Sequence, residues 1–198
     1  DMAGEHGLWW KRTYYEASAR VPLLVSGPGI DPNGSESTPV ELVDLFPTFC
    51  DWAGVETPEG LDGETLIPLL EGQPDRRRKK VARCDYLDRK PEVQFRMARD
   101  ERWKYIEFPD TPARLFDVMN DPEELDDLAD SPPADAPIED LRAQLIQGGT
   151  WEETAEARAA DLERIGKASG TPQSRSAVQY RLPDGRIIEA DRALYETG

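Results

Sequence analysis

Histidine is almost missing from this chain of 198 residues: His6 is the only one, and cysteine is nearly as scarce, with Cys50 and Cys84 alone. Neither cysteine lies near the histidine at the spacing of metal ligands, so no His/Cys metal cluster is written into the sequence, and two cysteines leave a disulfide open without forcing one. Cys50 falls in a helical apolar pattern and reads as a buried thiol. No hydrophobic run approaches the ~18 residues of a membrane-spanning helix. Positive charge is short as well: 24 Lys and Arg face 40 Asp and Glu, a formal charge of -16. So acidic a chain argues against nucleic acid and anionic membranes as general partners, although one positive pocket on it still suits a small anionic substrate. The hydrophobic share is low at 38%, against 32% charged residues and 17 prolines. Such a chain is long enough for a core, but part of it is expected to form extended loops or to depend on contacts outside itself.

What the chain does have is concentrated at its start, in Gly4-Glu5-His6-Gly7-Leu8-Trp9-Trp10-Lys11-Arg12-Thr13-Tyr14-Tyr15-Glu16-Ala17-Ser18-Ala19-Arg20-Val21-Pro22, followed by Leu23-Leu24-Val25. That density of Gly, aromatic and charged residues suits a functional loop on a rigid sheet. Val21 to Val25, short and aliphatic, reads as a strand of a sheet covered on both faces, with the loop at the sheet's rim. Lys11 offers a compact ammonium with three donors for an anionic oxygen, and Trp9 and Trp10 can wall such a site against water. Glu16 and Arg20, four apart, are placed to pair. The plainer alternative makes Lys11 and Arg12 solvated cations and the tryptophans core. His6 likewise has two readings, an acid or substrate contact titrating near neutrality, or a structural histidine donating to a carbonyl.

Downstream, 30 to 39 are turn formers. From Val40, the residues Leu42, Leu45, Phe46, Phe49, Cys50 and Ala53 follow helical spacing, with Gly54 as a stop and Pro47 as a kink or restart. That stripe is expected to pack on the sheet holding Val21 to Val25, and Asp44 reads as a cap or salt-bridge partner rather than a ligand. Leu66 to Leu70 is a short apolar patch. Arg76 to Lys80 reads as a solvated basic connector, with an anion-steering patch as the alternative. Val81 to Leu87, Phe95 to Arg99, Trp103 to Phe108 and Arg114 to Val118 predict an antiparallel sheet, with Asp100-Glu101-Arg102 as a hairpin turn and Phe95, Met97, Trp103, Tyr105 and Ile106 on one core face. The acidic run 121 to 130 lacks the central glycine and alternating spacing of a calcium loop and reads as a short helical turn. Beyond a proline-rich linker, Ile138 to Leu145 predicts a helix. Thr150-Trp151-Glu152-Glu153 opens another, ending near Gly166, with Trp151, Ala155, Ala159, Leu162 and Ile165 on one stripe. Pro183-Asp184-Gly185 joins Val178 to Leu182 and Arg186 to Ala190 as a hairpin.

Gly-Glu-His-Gly-Leu-Trp-x-Lys followed by Thr-x-Tyr-Glu-x-Ser-x-Arg-Val-Pro resembles the segment after the metal-binding Asp-His-Gly triplet of type I sulfatases, members of the alkaline-phosphatase-like superfamily. Asp1 is similar to the acidic residue that often follows that triplet. The likeness continues in the family's order through Val43-Asp44-Leu45-Phe46-Pro47-Thr48, Leu61-Asp62-Gly63 with Leu66-Ile67-Pro68-Leu69-Leu70, Arg96-Met97-Ala98-Arg99 with Trp103-Lys104-Tyr105, and Leu115-Phe116-Asp117 with Asp121-Pro122, Glu124-Leu125 and Leu128-Ala129.

The resemblance implies an α/β fold: the carboxy-terminal part of an alkaline-phosphatase-like α/β sandwich with a small antiparallel-sheet subdomain and a helix-plus-hairpin tail. Its expected parts are the end of the main domain (1–75), the β subdomain (81–130), a linker (131–137) and the extension (138–198). It also implies a sulfuric ester hydrolase seen as a carboxy-terminal portion. Lys11 is then the sulfate-binding lysine, His6 a second catalytic candidate, and Trp9 and Trp10 substrate contacts. In that family a Cys or Ser in Cys/Ser-x-Pro-x-Arg becomes the formylglycine nucleophile, and neither Cys50 nor Cys84 has that context. The implied divalent metal, Ca2+ or else Mg2+ or Mn2+, would have its ligands just before Asp1 and none in this chain. The implied partners are a small sulfate ester and, through the extension, further copies of the protein. Two other functions compete: a phosphodiesterase or phosphonate monoester hydrolase of the same superfamily, and a non-catalytic assembly module.

Overall fold

A computed structural model describes residues 1–30, 34–73, 76, 79–87, 94–147, 149–168, 179–181 and 187–189. The chain divides into two compact units, Asp1–Trp151 and Glu152–Gly198.

The first unit opens with a two-stranded antiparallel ribbon, β1 (Met2–Ala3) on β2 (Trp9–Trp10), in register Met2 opposite Trp10. Gly4 (φ 121°), His6 (φ 51°) and Gly7 (φ 70°) supply the left-handed backbone that lets so short a ribbon close. One helical turn follows, α1 (Glu16–Ala19). The strand expected over Val21 to Val25 does not form. The segment has no regular structure and Leu24 is 89% exposed. A strand is stable only with a ladder partner for its amides and carbonyls, and no strand among the described residues pairs with this one.

A 3-10 turn, Leu42–Asp44, leads into α2 (Leu45–Ala53). The restart falls just before Pro47, which therefore occupies the first helical turn, where its missing N–H costs nothing. Gly54 ends the helix at φ 64°. Asp44 is fully buried as a cap: its carboxylate accepts from Glu41 N (2.8 Å) and Glu64 N (2.9 Å) and pairs with Lys79 (3.3 Å). The stripe of α2 does not reach a sheet; Leu42, Phe46, Phe49 and Trp52 are all exposed, and Cys50 is only half-buried. Lys79 also corrects the solvated-connector reading, because it is ion-paired with both Glu41 and Asp44. Arg77 and Arg78 lie outside the described residues. The patch after Thr65 coils as α3 (Ile67–Leu70), burying Leu66 and Leu69.

The centre of this unit is the sheet of β3 (Ala82–Tyr86), β4 (Phe95–Arg99), β5 (Trp103–Glu107) and β6 (Arg114–Asp117), sequential neighbours that are all antiparallel. Its expected single core face is two faces. Phe95, Met97, Ile106, Phe116 and Val118 point to one side, where Met2 and Tyr15 complete the cluster. Ala98, Trp103, Tyr105 and Leu115 point to the other, covered by Leu141 and Leu145 of α4 (Ile138–Ile146). Side chains alternate along a strand, so apolar neighbours in sequence serve opposite faces. The edge at β6 is closed by the following segment, through Leu128 N to Leu115 O (2.9 Å) and Leu115 N to Asp127 Oδ1 (3.1 Å). The acidic run forms a turn rather than a helix, with Glu124 N on Asp121 O (3.0 Å) and Glu124 itself at φ 55°.

α5 (Trp151–Ala168) runs past Gly166, and all of it but Trp151 belongs to the second unit. A glycine inside a helix costs only about 1 kcal/mol, too little to stop one on its own. The expected hairpin is present as β7 (Gln179–Arg181) antiparallel to β8 (Ile187–Glu189), with Tyr180 opposite Ile188. Its Pro-Asp-Gly turn lies outside the described residues.

Candidate functional site

The candidate residues ride on the opening ribbon. Met2 and Tyr15 are buried in the sheet's first cluster, so the ribbon and the segment after it are held at both ends on one sheet face. Because Met2 faces Trp10, the next pair outward brings Asp1 and Lys11 together: Lys11 Nζ lies 3.3 Å from Asp1 Oδ1. The pair sits at the ribbon's open end with the Lys11 side chain 69% exposed. Trp9 is 68% exposed and is not core; the Trp10 side chain lies outside the described residues.

His6 is turned the other way, its ring stacked on Tyr15 at 3.7 Å between centroids and 10° between planes. Tyr14 packs edge-on to Phe95 and Phe108, and burial pushes its phenol well above the usual tyrosine range. In the turn, the Ala3 amide bonds Glu5 Oε2 at 2.5 Å and so holds the Glu5 carboxyl below its ordinary pKa. The ribbon therefore presents an exposed cation and one indole while His6 is occupied by an aromatic face. It is a shelf, not an enclosed pocket. A cleft of about 470 Å³ opens elsewhere, lined by Asp62, Glu64, Lys79, Lys80, Arg83 and Gln144 among others, and none of Lys11, His6 or Trp9 borders it.

The expected Glu16–Arg20 pair is not made. Glu16 turns inward to Lys104 Nζ (2.9 Å) and Arg99 Nε (3.3 Å), and Lys104 is fully buried. A charged group out of water requires compensating partners, and Lys104 has them: it bonds the Tyr14 carbonyl (2.8 Å) and pairs with Glu124 Oε1 (2.5 Å). Glu124 in turn accepts the Glu16 amide at 2.6 Å. Sequence reading passed over this cluster. Its one local signal was a lysine centred in the otherwise apolar run Trp103 to Ile106, where burial on both faces leaves no solvent for an ammonium.

Among the described residues no group of three or more His, Cys, Asp or Glu side chains can hold a metal ion, and no helix is long and apolar enough to cross a membrane. The family described as N-sulphoglucosamine sulphohydrolase, C-terminal, matches residues 4–150. A choline-sulfatase of Rhizobium meliloti (strain 1021) is 38% identical over 135 residues, covering 67% of this chain and 26% of that protein. The arylsulfatase K of Xenopus laevis is 34% identical over 143 residues, covering 67% of this chain and 27% of that protein. The chain thus spans about a quarter of the length of these curated relatives. A solved protein in complex with its substrate D-glucosamine-2-N,6-O-disulfate matches with a TM-score of 0.58 at 27% identity, covering 87% of this chain and 34% of that one.

Proposed function

The chain belongs to the N-sulphoglucosamine sulphohydrolase C-terminal family of type I sulfatases, with the carboxy-terminal part of their alkaline-phosphatase-like fold, and on that premise we propose that it is the carboxy-terminal part of a sulfuric ester hydrolase. In this reading Lys11 binds an oxygen of the sulfate group, while Trp9 and Trp10 wall the pocket. The observation that carries it is the placing of Lys11: a cation on a shelf anchored at both ends, whose partner is the exposed Asp1. An exposed ion pair contributes only about 0–1 kcal/mol, so a sulfate oxygen can take that ammonium at little cost. As the ester bond breaks, negative charge grows on the sulfuryl and leaving oxygens, and a donor already aimed at them needs no reorganisation. Stacked on Tyr15, His6 is left with the role of shaping the turn or touching the substrate's edge rather than holding the sulfate.

A shelf encloses nothing, so the remaining walls must come from protein outside these residues. The exposed Phe46, Phe49 and Trp52 of α2 fit a chain completed by such a surface. The same assignment places the nucleophile, a formylglycine by family resemblance, and the divalent metal outside this chain. We propose further that the second unit serves assembly into a homo-oligomer, because a lone two-stranded hairpin such as β7–β8 is marginal in water and gains from docking on another surface.

The test is an enzyme that carries this chain, assayed on matched aryl sulfate and aryl phosphate esters. Lys11→Ala is expected to fold normally and to lose ~10²- to 10³-fold in kcat/KM on the sulfate ester, as removal of one preorganised donor does. Arg12→Ala is expected to keep most of its activity. Retention of more than about a third by Lys11→Ala, far short of the loss expected for such a donor, removes the sulfate-binding role. A higher rate on the phosphate ester turns the reading toward a phosphodiesterase or phosphonate monoester hydrolase.

A further inference from the structure

We propose that Lys104 is a positioning residue for the Lys11 loop, acting from the centre of the sheet through the backbone of residues 14–16. The proposal deepens the sulfate-binding reading of Lys11 and rests on it for its catalytic consequence only. Lys104 sits in β5 with no exposed surface; its ammonium donates to the Tyr14 carbonyl at 2.8 Å and to Glu16 Oε1 at 2.9 Å, and it is ion-paired with Glu124 Oε1 at 2.5 Å. Glu124 closes the ring by accepting the Glu16 amide on Oε2 at 2.6 Å. A carbonyl, an amide and a carboxylate of one short segment are thereby fixed at a single buried point, three residues after Lys11.

Two features point to placement rather than general stabilisation. Arg99 and Lys104 are direct cross-strand neighbours of like charge, and Glu16 and Glu124 bring the cluster to neutrality. Removing such charges from water is costly, so a buried ionic cluster is a poor way to gain stability, and its retention here fits the specifying of one arrangement. Glu124 moreover reaches Lys104 from a left-handed backbone conformation, φ 55°, that a non-glycine residue adopts only under constraint. The 121–124 turn is therefore part of the clamp.

Lys104→Met alone strands the buried Glu124 carboxylate and leaves Glu16 with Arg99 only, and it is expected to unfold the chain, so the paired variant Lys104→Met/Glu124→Gln carries the test. It removes one charge of each sign, leaves the Arg99–Glu16 pair, and retains an oxygen for the Glu16 amide. Hydrogen exchange of the full chain is then read at two places. The amides of Ser18, Ala19 and Arg20 are expected to exchange roughly ten- to hundredfold faster, the equivalent of losing hydrogen bonds to a charged group. Amides of the β4–β5 ladder should be unchanged. Equal acceleration of loop and sheet, or of neither, overturns the proposal. In an enzyme carrying the chain, the paired variant should lower kcat/KM by itself but cause no further loss in the Lys11→Ala background, because it acts through Lys11. Additive losses overturn it as well. If Lys11→Ala does not slow the enzyme, the sulfate-binding reading fails, while the exchange measurement still decides whether Lys104 holds the loop.

Discussion

Asp117 ends β6 with its carboxylate turned onto Arg102, which donates through Nε (3.0 Å) and a terminal nitrogen (2.8 Å), while Asn120 adds its side-chain amide at 2.8 Å. Arg102 also reaches Asp135 (2.7 Å) and lies over the Trp103 ring at 4.3 Å. The Arg102 hydrogen bonds are the main reason why the Asp117 carboxyl is held below the usual aspartate range. The folded state therefore binds this proton less readily than the unfolded state. The resulting stability is present above the unfolded aspartate value near 3.9 and is lost as pH falls through the lower folded value. Acid titrations of urea midpoints should accordingly show Asp117→Asn less stable than the parent at neutral pH, with the difference shrinking below about pH 4. A difference independent of pH would mean that the carboxylate's charge contributes nothing. In the sequence, residues 100 to 102 stood out only as a turn; that Arg102 would join two acidic residues 15 and 33 positions away had no local trace.

Among the elements, α2 and the turn before it show how two glycines in one region are needed for unrelated reasons. Gly54 was legible as a helix stop, and its φ of 64° bears this out. Nothing lies within 4 Å of where a Cβ would go, so Gly54→Ala is opposed by backbone strain alone. The expected cost is roughly 1–2 kcal/mol, as for any L-residue forced left-handed. Gly63 carries no such torsional signal. A Cβ there would meet the Val43 carbonyl oxygen at 2.1 Å and the Asp44 nitrogen at 3.0 Å, because the next residue, Glu64, docks its amide on the Asp44 carboxylate. Backbone atoms cannot swing aside, so Gly63→Ala should cost about 3 kcal/mol, the upper end of overpacking penalties. Denaturant midpoints of the two variants decide the matter, and Gly54→Ala emerging as the less stable of the pair would contradict this account of the turn.

For the whole molecule, the decisive feature is that its two units meet different demands. The first buries apolar residues on both faces of one sheet. It also includes α4, whose Leu141 and Leu145 complete the second face, so the proposed assembly role falls on residues 152–198. Deleting residues 152–198 from an enzyme carrying the chain should shift its mass in solution toward monomer without unfolding the β4–β5 ladder. An unchanged oligomer would end the assembly proposal.

Some of this protein was settled by its sequence alone. The short strand-like pieces between 82 and 118, the polar turn at 100–102, the helical spacing that ends at Gly54, and the strand–turn–strand pattern near the carboxy terminus each depend on neighbours a few residues apart, where propensity and turn chemistry act. The order of residues around Lys11 was enough to indicate the family. Tertiary structure decided the rest. Val21 to Val25 has every local mark of a strand, yet a ladder needs a partner that no sequence window contains. Which face Trp103 and Ile106 would serve depended on what came to cover the sheet. The Glu16 carboxylate chose Lys104, 88 positions away, over Arg20 four positions away, because a fully buried ammonium must be compensated whereas an exposed arginine is compensated by water.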